Sequence, residues 1–278
     1  MSGYDYWKLI AKSLLDRRAC SGSTEFVFRP RRGTPELYAI DAISRDNDFR
    51  TSIYLRRGTS DSKVFSQIFA DNDYNLRRLS RWNEIRGIYD GLVAQATTPL
   101  ILDCGANIGL AALYFAKNWP RAHIVAVEPQ DGNYHLLCRN LAGRANLQPV
   151  KAAVGSEDGI VKIANPDAVA WTFQTERAAA GSTETVKALS IQSLMSQAPA
   201  GPNYRPFIAK IDIEGFESDL FLTNTDWVDL FPLIIIELHD WMLPRQGTSN
   251  AFLRAIAPLD RDFVQIGENT FSIANRRS

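Results

Sequence analysis

Two short stretches carry four side chains able to move protons or hold a cation. Asp212 and Glu214 stand two residues apart, and so do Glu237 and His239. In an extended chain, residues two apart project to the same face. If both stretches close neighbouring strands, the four groups converge on one space. Carboxylates and an imidazole there suit the activation of an alcohol, whose pKa is too high for unaided attack. His239 is the expected base, because a neutral imidazole is available near pH 7. Asp212 or Glu237 would orient it or the substrate. Glu214 joins them or caps the turn at Gly215. In an alternative arrangement, Asp212, Glu237 and His239 bind a divalent cation that lowers the hydroxyl pKa. The metal-free form is preferred, since the carboxylates show no dedicated metal-ligand pattern.

A second constellation is the loop Asp103-Cys104-Gly105-Ala106-Asn107-Ile108-Gly109. Glycine permits positive φ and close approach of a ligand, and asparagine tolerates the left-handed region. A dinucleotide enzyme would carry GxGxxG, which rests a pyrophosphate on a helix N-terminus. Here an acid precedes the glycines, as DxGxNxG. An acid is poorly placed beside a pyrophosphate and well placed beside the ammonium of a methionine moiety. Glu128, at the next strand end, can accept two hydrogen bonds from a ribose cis-diol. These residues point to S-adenosylmethionine.

The elements that must position these groups follow from periodicity. Apolar runs at 100–102, 123–127, 147–154, 207–213 and 233–238 read as strands, with helices at 110–119, 134–141, 191–196, from 218, and 252–257 between them. Strands at 159–164 and 185–189 flank a polar insertion holding Trp171 and Phe173, which either line a substrate mouth or anchor the hairpin. A hairpin at 263–266 and 270–273 closes the chain. Strands apolar throughout, alternating with helices, imply a parallel sheet covered on both faces, here with an antiparallel edge. The fold class is α/β: a doubly wound, mostly parallel seven-stranded sheet over 99–278. A TIM barrel needs about 250 residues, and only about 180 follow Pro99. Residues 1–98 form an α+β extension: a helix over 4–20, strands at 26–28, 37–40 and 52–55, and helices at 62–69 and 79–96.

Three stretches resemble the FkbM family within the class I methyltransferases. They are Leu102 to Gly109 with Val127-Glu128-Pro129, the run Lys210-Ile211-Asp212-Ile213-Glu214-Gly215-Phe216-Glu217, and Ile236-Glu237-Leu238-His239. The upstream Arg57-Gly58-Thr59-Ser60-Asp61, with Tyr74, resembles a subgroup that carries an N-terminal extension. The likeness covers roughly residues 50–274. It implies O-methylation of a hydroxyl on a sugar, glycan or polyketide-type product. Loop and likeness together give an expected cofactor set of Asp103, Gly105, Ala106, Asn107, Gly109, Glu128, Pro129 and Asn133. Asp103 would meet the amino acid end, Glu128 the ribose, and Gly105, Ala106 and Asn107 would contribute backbone contacts. The segment from Arg57 to Tyr74 is expected to cover the cleft mouth, with Ser60 and Asp61 capping the 62–69 helix and Tyr74 and Trp82 bounding the pocket.

Composition narrows the field further. Lys+Arg equals Asp+Glu at 31 each, which argues against an enzyme relying on broad phosphate attraction, so no nucleic-acid partner is expected. No apolar run of about 18 residues suggests a membrane span, and the start lacks the pattern of a signal peptide. Cys20, Cys104 and Cys138 form no CxxC pair and read as reduced thiols of a cytoplasmic protein. His123 and His135 lack metal-ligand spacing and read as structural. The basic clusters Arg29/Arg31/Arg32 and Arg77/Arg78/Arg81 read as solvated surface. Two other functions fit less well. An NAD-dependent oxidoreductase lacks GxGxxG and a Tyr-x-x-x-Lys pair, and a non-catalytic binding module sits poorly with intact acids at two strand ends.

Overall fold

Strand residues that alternate between two apolar cores leave no solvated face, and this pattern organises the molecule. The computed structural model describes residues 25–46, 48–163, 175–177, 185–198, 203–242 and 244–275. The expected 4–20 helix, Cys20, Trp171 and Phe173 lie outside them. The chain runs β1 (Phe26–Arg31), β2 (Leu37–Ser44), β3 (Arg50–Arg56), β4 (Thr98–Cys104), β5 (His123–Val127), β6 (Leu147–Val150), β7 (Ala153–Val154), β8 (Gly159–Ile163), β9 (Thr175–Arg177), β10 (Thr185–Leu189), β11 (Tyr204–Ile211), β12 (Leu233–Glu237), β13 (Arg261–Ile266) and β14 (Asn269–Ala274). Seven strands form the main sheet in the order β13-β14-β12-β11-β4-β5-β6. Its pairs from β12 to β6 are parallel, and β14 runs antiparallel to both β12 and β13. The expected doubly wound sheet with an antiparallel edge is present.

Along β4, β5 and β12 the side chains divide strictly by parity. Ile101, Ile124, Ala126, Leu233 and Ile235 enter one core. Leu100, Leu102, Cys104, Val125, Val127, Ile234 and Ile236 enter the other. Helices Trp82–Ala94, Leu110–Asn118 and Asp131–Leu141 cover the first face, and Ile191–Ser196, Glu217–Leu220 and Asn250–Ile256 cover the second. Cys104 is fully buried there, and burial pushes its thiol up to about 12, which leaves it inert.

Several expectations shift in detail. The single strand expected over 147–154 is two strands. β6 is the edge of the main sheet, where Pro149 needs no donor on its open side. β7 instead joins the small sheet β7-β10-β8-β9. The helix expected over 62–69 is an α-turn, Asp61–Phe65, continued as a π-turn, Ser66–Ala70. The helix expected over 79–96 spans Trp82–Ala94. A 3-10 helix over Thr225–Leu230 carries no sequence period of its own. Arg81, read as surface, is only 19% exposed and bonds Asp262 and the Ala274 carbonyl, tying the extension to the sheet's far edge.

The antiparallel sheet β1-β2-β3 shares the first core with the main sheet. Phe26 meets Phe69 edge-on at 5.0 Å, and Phe69 meets Tyr114 at 6.1 Å, so strand, π-turn and helix lock through rings. A polar seam adds direction. Asn140 Oδ1 accepts from the Tyr54 N–H at 2.8 Å, and its Nδ2 donates to the carbonyls of Tyr54 at 3.2 Å and Ile108 at 2.8 Å. One amide therefore completes both the edge of β3 and the glycine loop. Replacing Asn140, 3% exposed, by Ala leaves these backbone groups unpaired. The expected loss is about 2–3 kcal/mol in chemical denaturation. A loss below about 0.5 kcal/mol would show that the seam is held elsewhere.

Candidate active site

β4 ends in a loop whose backbone turns left-handed three times in five residues: Gly105 at φ +79°, Asn107 at +50° and Gly109 at +87°. A Cβ on Gly105 would lie 1.7 Å from the Asp212 carbonyl oxygen. The glycine is thus required by the close approach of the β4 and β11 ends. On Gly109 a Cβ would meet Leu137 Cδ1 at 2.7 Å. The Gly105 and Ala106 N–H groups both donate to the Val127 carbonyl, and the Asn107 N–H donates to Glu128 Oε2 at 2.9 Å. The expected backbone contacts therefore cannot come from these three donors. The loop turns its other surfaces to a cleft lined by Gly105 to Ile108, and Asn107 Oδ1 is buried there with no partner among the described residues.

Glu128, 5% exposed, closes β5 and is fixed on both oxygens. Oε1 accepts from the Gln130 N–H at 3.0 Å and Asn133 Nδ2 at 3.2 Å, opposite Asn107 on Oε2. Burial raises its pKa to about 7 against these donors. Half-buried Pro129 leads into the cap of helix Asp131–Leu141, where Gln130 Oε1 accepts from the Asn133 N–H. Asn133 Oδ1 accepts from Arg56, and Arg56 makes a bidentate pair with Asp61. The extension thus reaches the second strand-end acid through one relay.

At the β11 and β12 ends, Lys210 is the hub. Its ammonium lies 3.2 Å from Asp103 Oδ1 and 3.3 Å from Asp212 Oδ2, and donates to the Gly105 carbonyl at 2.7 Å. Burial opposes the charge, but Asp212 and Asp103 hold the lysine pKa well above its ordinary value. Asp103 is wholly buried, and burial pushes its carboxyl up despite Lys210. In this arrangement it exposes no surface to the cleft, where the expectation has it meet the methionine ammonium, and Lys210, which lines the cleft, stands beside it. Asp212, by contrast, is half-buried and faces the cleft.

Asp212, Glu214, Glu237 and His239 do converge. His239 is 2% exposed. Its Nδ1 bonds Glu217 Oε1 at 2.9 Å, while Nε2 lies 3.6 Å from Asp212 Oδ1, 3.5 Å from Glu214 Oε2 and 3.6 Å from Glu237 Oε1. Burial and Asp212 push Glu214 up to about 9 and Glu237 to about 7. Burial would lower the imidazole, but the hydrogen bond and charge of Glu217, then Asp212 and Glu214, push it to about 9. Against these carboxylates alone, the raised pKa favours the protonated imidazole over the neutral base expected.

The cleft's empty space, open mouth included, is about 890 Å³. Segment 63–68 forms one wall with Lys63, Val64, Gln67 and Ile68, and Tyr74 forms part of another. Arg57 points elsewhere: it is exposed, 3.9 Å over the Tyr38 ring. Ser60 occupies the N-cap position without a side-chain cap bond, and Asp61 serves Arg56 instead. Trp82 packs on Trp119 rather than bounding the cleft. Sequence reasoning did not single out Arg56, Asp73, Trp241 or Glu268, and gave Lys210 no role although it opens the most specific motif. Periodicity does not report which distant chain ends meet.

The strand order reverses between β4 and β11, and the glycine loop sits at that reversal, where an open parallel sheet binds its ligand. A model of the methyltransferase FkbM domain matches residues 103–264, and the chain belongs to that family. It is 34% identical over 119 residues to methyltransferase sdnD of Sordaria araneosa, covering 43% of this chain and 37% of that protein. It is 23% identical over 209 residues to hexuronic acid methyltransferase AglP of Haloferax volcanii, covering 73% and 82%. Among solved structures it is similar to monomeric WbdD, with a TM-score of 0.38 at 14% identity over 70% of this chain and 41% of that one. The chain thus spans under half the length of sdnD and WbdD.

The Glu128 carboxyl makes this site pH-sensitive. An acid with a pKa of about 7 is roughly one-tenth ionised at pH 6 and nine-tenths at pH 8. If Glu128 meets the ribose as expected, its ionised form is the better acceptor for a hydroxyl. S-adenosylmethionine affinity in calorimetry should therefore rise roughly tenfold from pH 6 to pH 8, and Glu128→Gln should flatten the rise. An unchanged profile in that variant would move the ribose contact off Glu128.

Proposed function

We propose that the chain transfers the methyl group of S-adenosylmethionine to a hydroxyl of a sugar, glycan or related natural product. The observation that carries this reading is the meeting of the glycine loop and the Asp212–Glu214–Glu237–His239 group at one end of the sheet, across a single cleft. The residues fit the cofactor. Glu128 anchors the loop through the Asn107 N–H and keeps about one acceptor position for a ribose hydroxyl, and Asn107 Oδ1 is a buried acceptor without a partner among the described residues. When bound, S-adenosylmethionine supplies an electrophilic methyl on a sulfonium.

The chain's own residues do the rest. Lys210 fixes Gly105 and Asp212 relative to one another, which sets the distance between donor loop and acceptor group. Asp212 orients the acceptor hydroxyl toward the loop. As the hydroxyl oxygen takes the methyl, the S–CH3 bond would break to leave a neutral thioether, and the proton of the broken O–H bond would pass to a carboxylate of the group. The 63–68 wall and Tyr74 limit water access from the extension side. Trp241, 64% exposed, lines the same cleft and presents a flat face to a sugar ring. The likeness to a protein named for hexuronic acid methylation supports a sugar acceptor.

The test is transfer of labelled methyl from S-adenosylmethionine to a panel of hydroxyl-bearing sugars. Wild type should label at least one. Asp212→Asn should lower kcat by about a hundredfold or more, with cofactor affinity changed far less. No cofactor binding, or full turnover in Asp212→Asn, would overturn the proposal.

A further inference from the structure

The contacts of His239 Nε2 are unusual for a hydrogen-bonded imidazole. Three carboxylate oxygens, from Asp212, Glu214 and Glu237, stand at 3.5–3.6 Å. N–H···O bonds lie at about 2.7–3.2 Å, so none of the three is one. Among the described residues, Nε2 makes no hydrogen bond, although the side chain is 2% exposed. Two ligands each about 2.1 Å from a shared ion stand about 3.0–3.6 Å apart at angles from 90° to 120°. The distances from Nε2 to the carboxylate oxygens fall within that range. One ligand atom each from Asp212, Glu214 and His239 already lie within 4.8 Å of one another.

Two further features independently prepare Nε2 and its neighbours. Glu217, wholly buried, accepts from the Ile213 N–H on the same Oε1 that meets His239 Nδ1. An oxygen that accepts there requires Nδ1 to donate, which leaves Nε2 as the free ligand position. This is the carboxylate–histidine support found behind metal-bound imidazoles. Glu214 is also held at φ +56°, a conformation costly for a residue with a side chain. That turn aims its carboxylate back beside Asp212, where two acids otherwise repel.

We propose that Asp212, Glu214 and His239 form a divalent-cation site, with Glu237 beside it. Two carboxylates to one imidazole favour a hard ion of the Mg²⁺ or Mn²⁺ type. This deepens the reading of the chain as an O-methyltransferase and rests on it for its purpose: a cation here would lower the pKa of the acceptor hydroxyl beside the donor loop. It reverses the preference for a metal-free base drawn from sequence alone, where Glu214 and the Glu217 support were not visible as part of one shell.

The test is Mn²⁺ binding to the chelator-stripped full chain, read by the loss of the free-ion electron paramagnetic resonance signal. Wild type should bind one Mn²⁺ per chain. Asp212→Asn and Glu214→Gln, both at half-buried positions, should each weaken binding at least tenfold while thermal melts confirm folding. Glu217→Gln should weaken it tenfold or more without removing a ligand. Absence of saturable binding in wild type, or equal binding in the Asp212 and Glu214 variants, overturns the site. S-adenosylmethionine calorimetry on the same sample separates the two readings. A chain that binds the cofactor but not Mn²⁺ loses only the metal site. A chain that binds Mn²⁺ but not the cofactor keeps the site and loses the methyltransferase reading.

Discussion

The constraint on which the rest of this structure depends is the burial of Lys210 between Asp103 and Asp212. A charged amine 4% exposed is tolerable only when paired and hydrogen-bonded. Here the two carboxylates and the Gly105 carbonyl supply that shell. The three partners belong to the ends of two adjacent parallel strands. The ammonium therefore fixes the one place where β4 and β11 must meet, at the reversal of strand order. Gly105 is the steric consequence, since the Asp212 carbonyl leaves no room for a Cβ.

From that point the arrangement extends in both directions. On the β5 side, the loop N–H groups are drawn onto Val127 and Glu128, and Glu128 is in turn joined to Asn133, Arg56 and Asp61. On the β12 side, Asp212 faces Glu214, Glu237 and His239. The glycine loop and the carboxylate–histidine group are thus two faces of one charged hub. The extension is wired to the hub's far side as well as packed against the core. A shift of β3 would be felt at Glu128 through Arg56 and at the glycine loop through Asn140.

Much of this was legible in the sequence because it is local. The unbroken apolar runs of β4, β5 and β12 gave a sheet covered on both faces, and the two-residue spacing of acids gave their shared orientation. The glycine loop announced its turn. What was hidden depends on contacts between distant segments. Arg56 and Arg57 are chemically equivalent neighbours, yet Arg56, the last residue of β3, reaches Asp61 and Asn133, and Arg57, one residue beyond it, lies on Tyr38. Asp103 reads as a ligand-facing acid until Lys210 is placed over it. His239 reads as a neutral base until Glu217, 22 residues earlier, is found on its other nitrogen. Arg81 reads as surface until the β13–β14 edge closes on it.

The hub itself can be measured by a double-mutant cycle in chemical denaturation between Lys210 and Asp103. Lys210→Met alone strands a buried carboxylate and should cost about 3–5 kcal/mol. Asp103→Asn combined with Lys210→Met removes both charges and should recover a large part of that loss, giving a coupling energy above about 1.5 kcal/mol. Single-variant losses that simply add in the double variant would contradict the claim that this buried pair fixes the junction of the two strands.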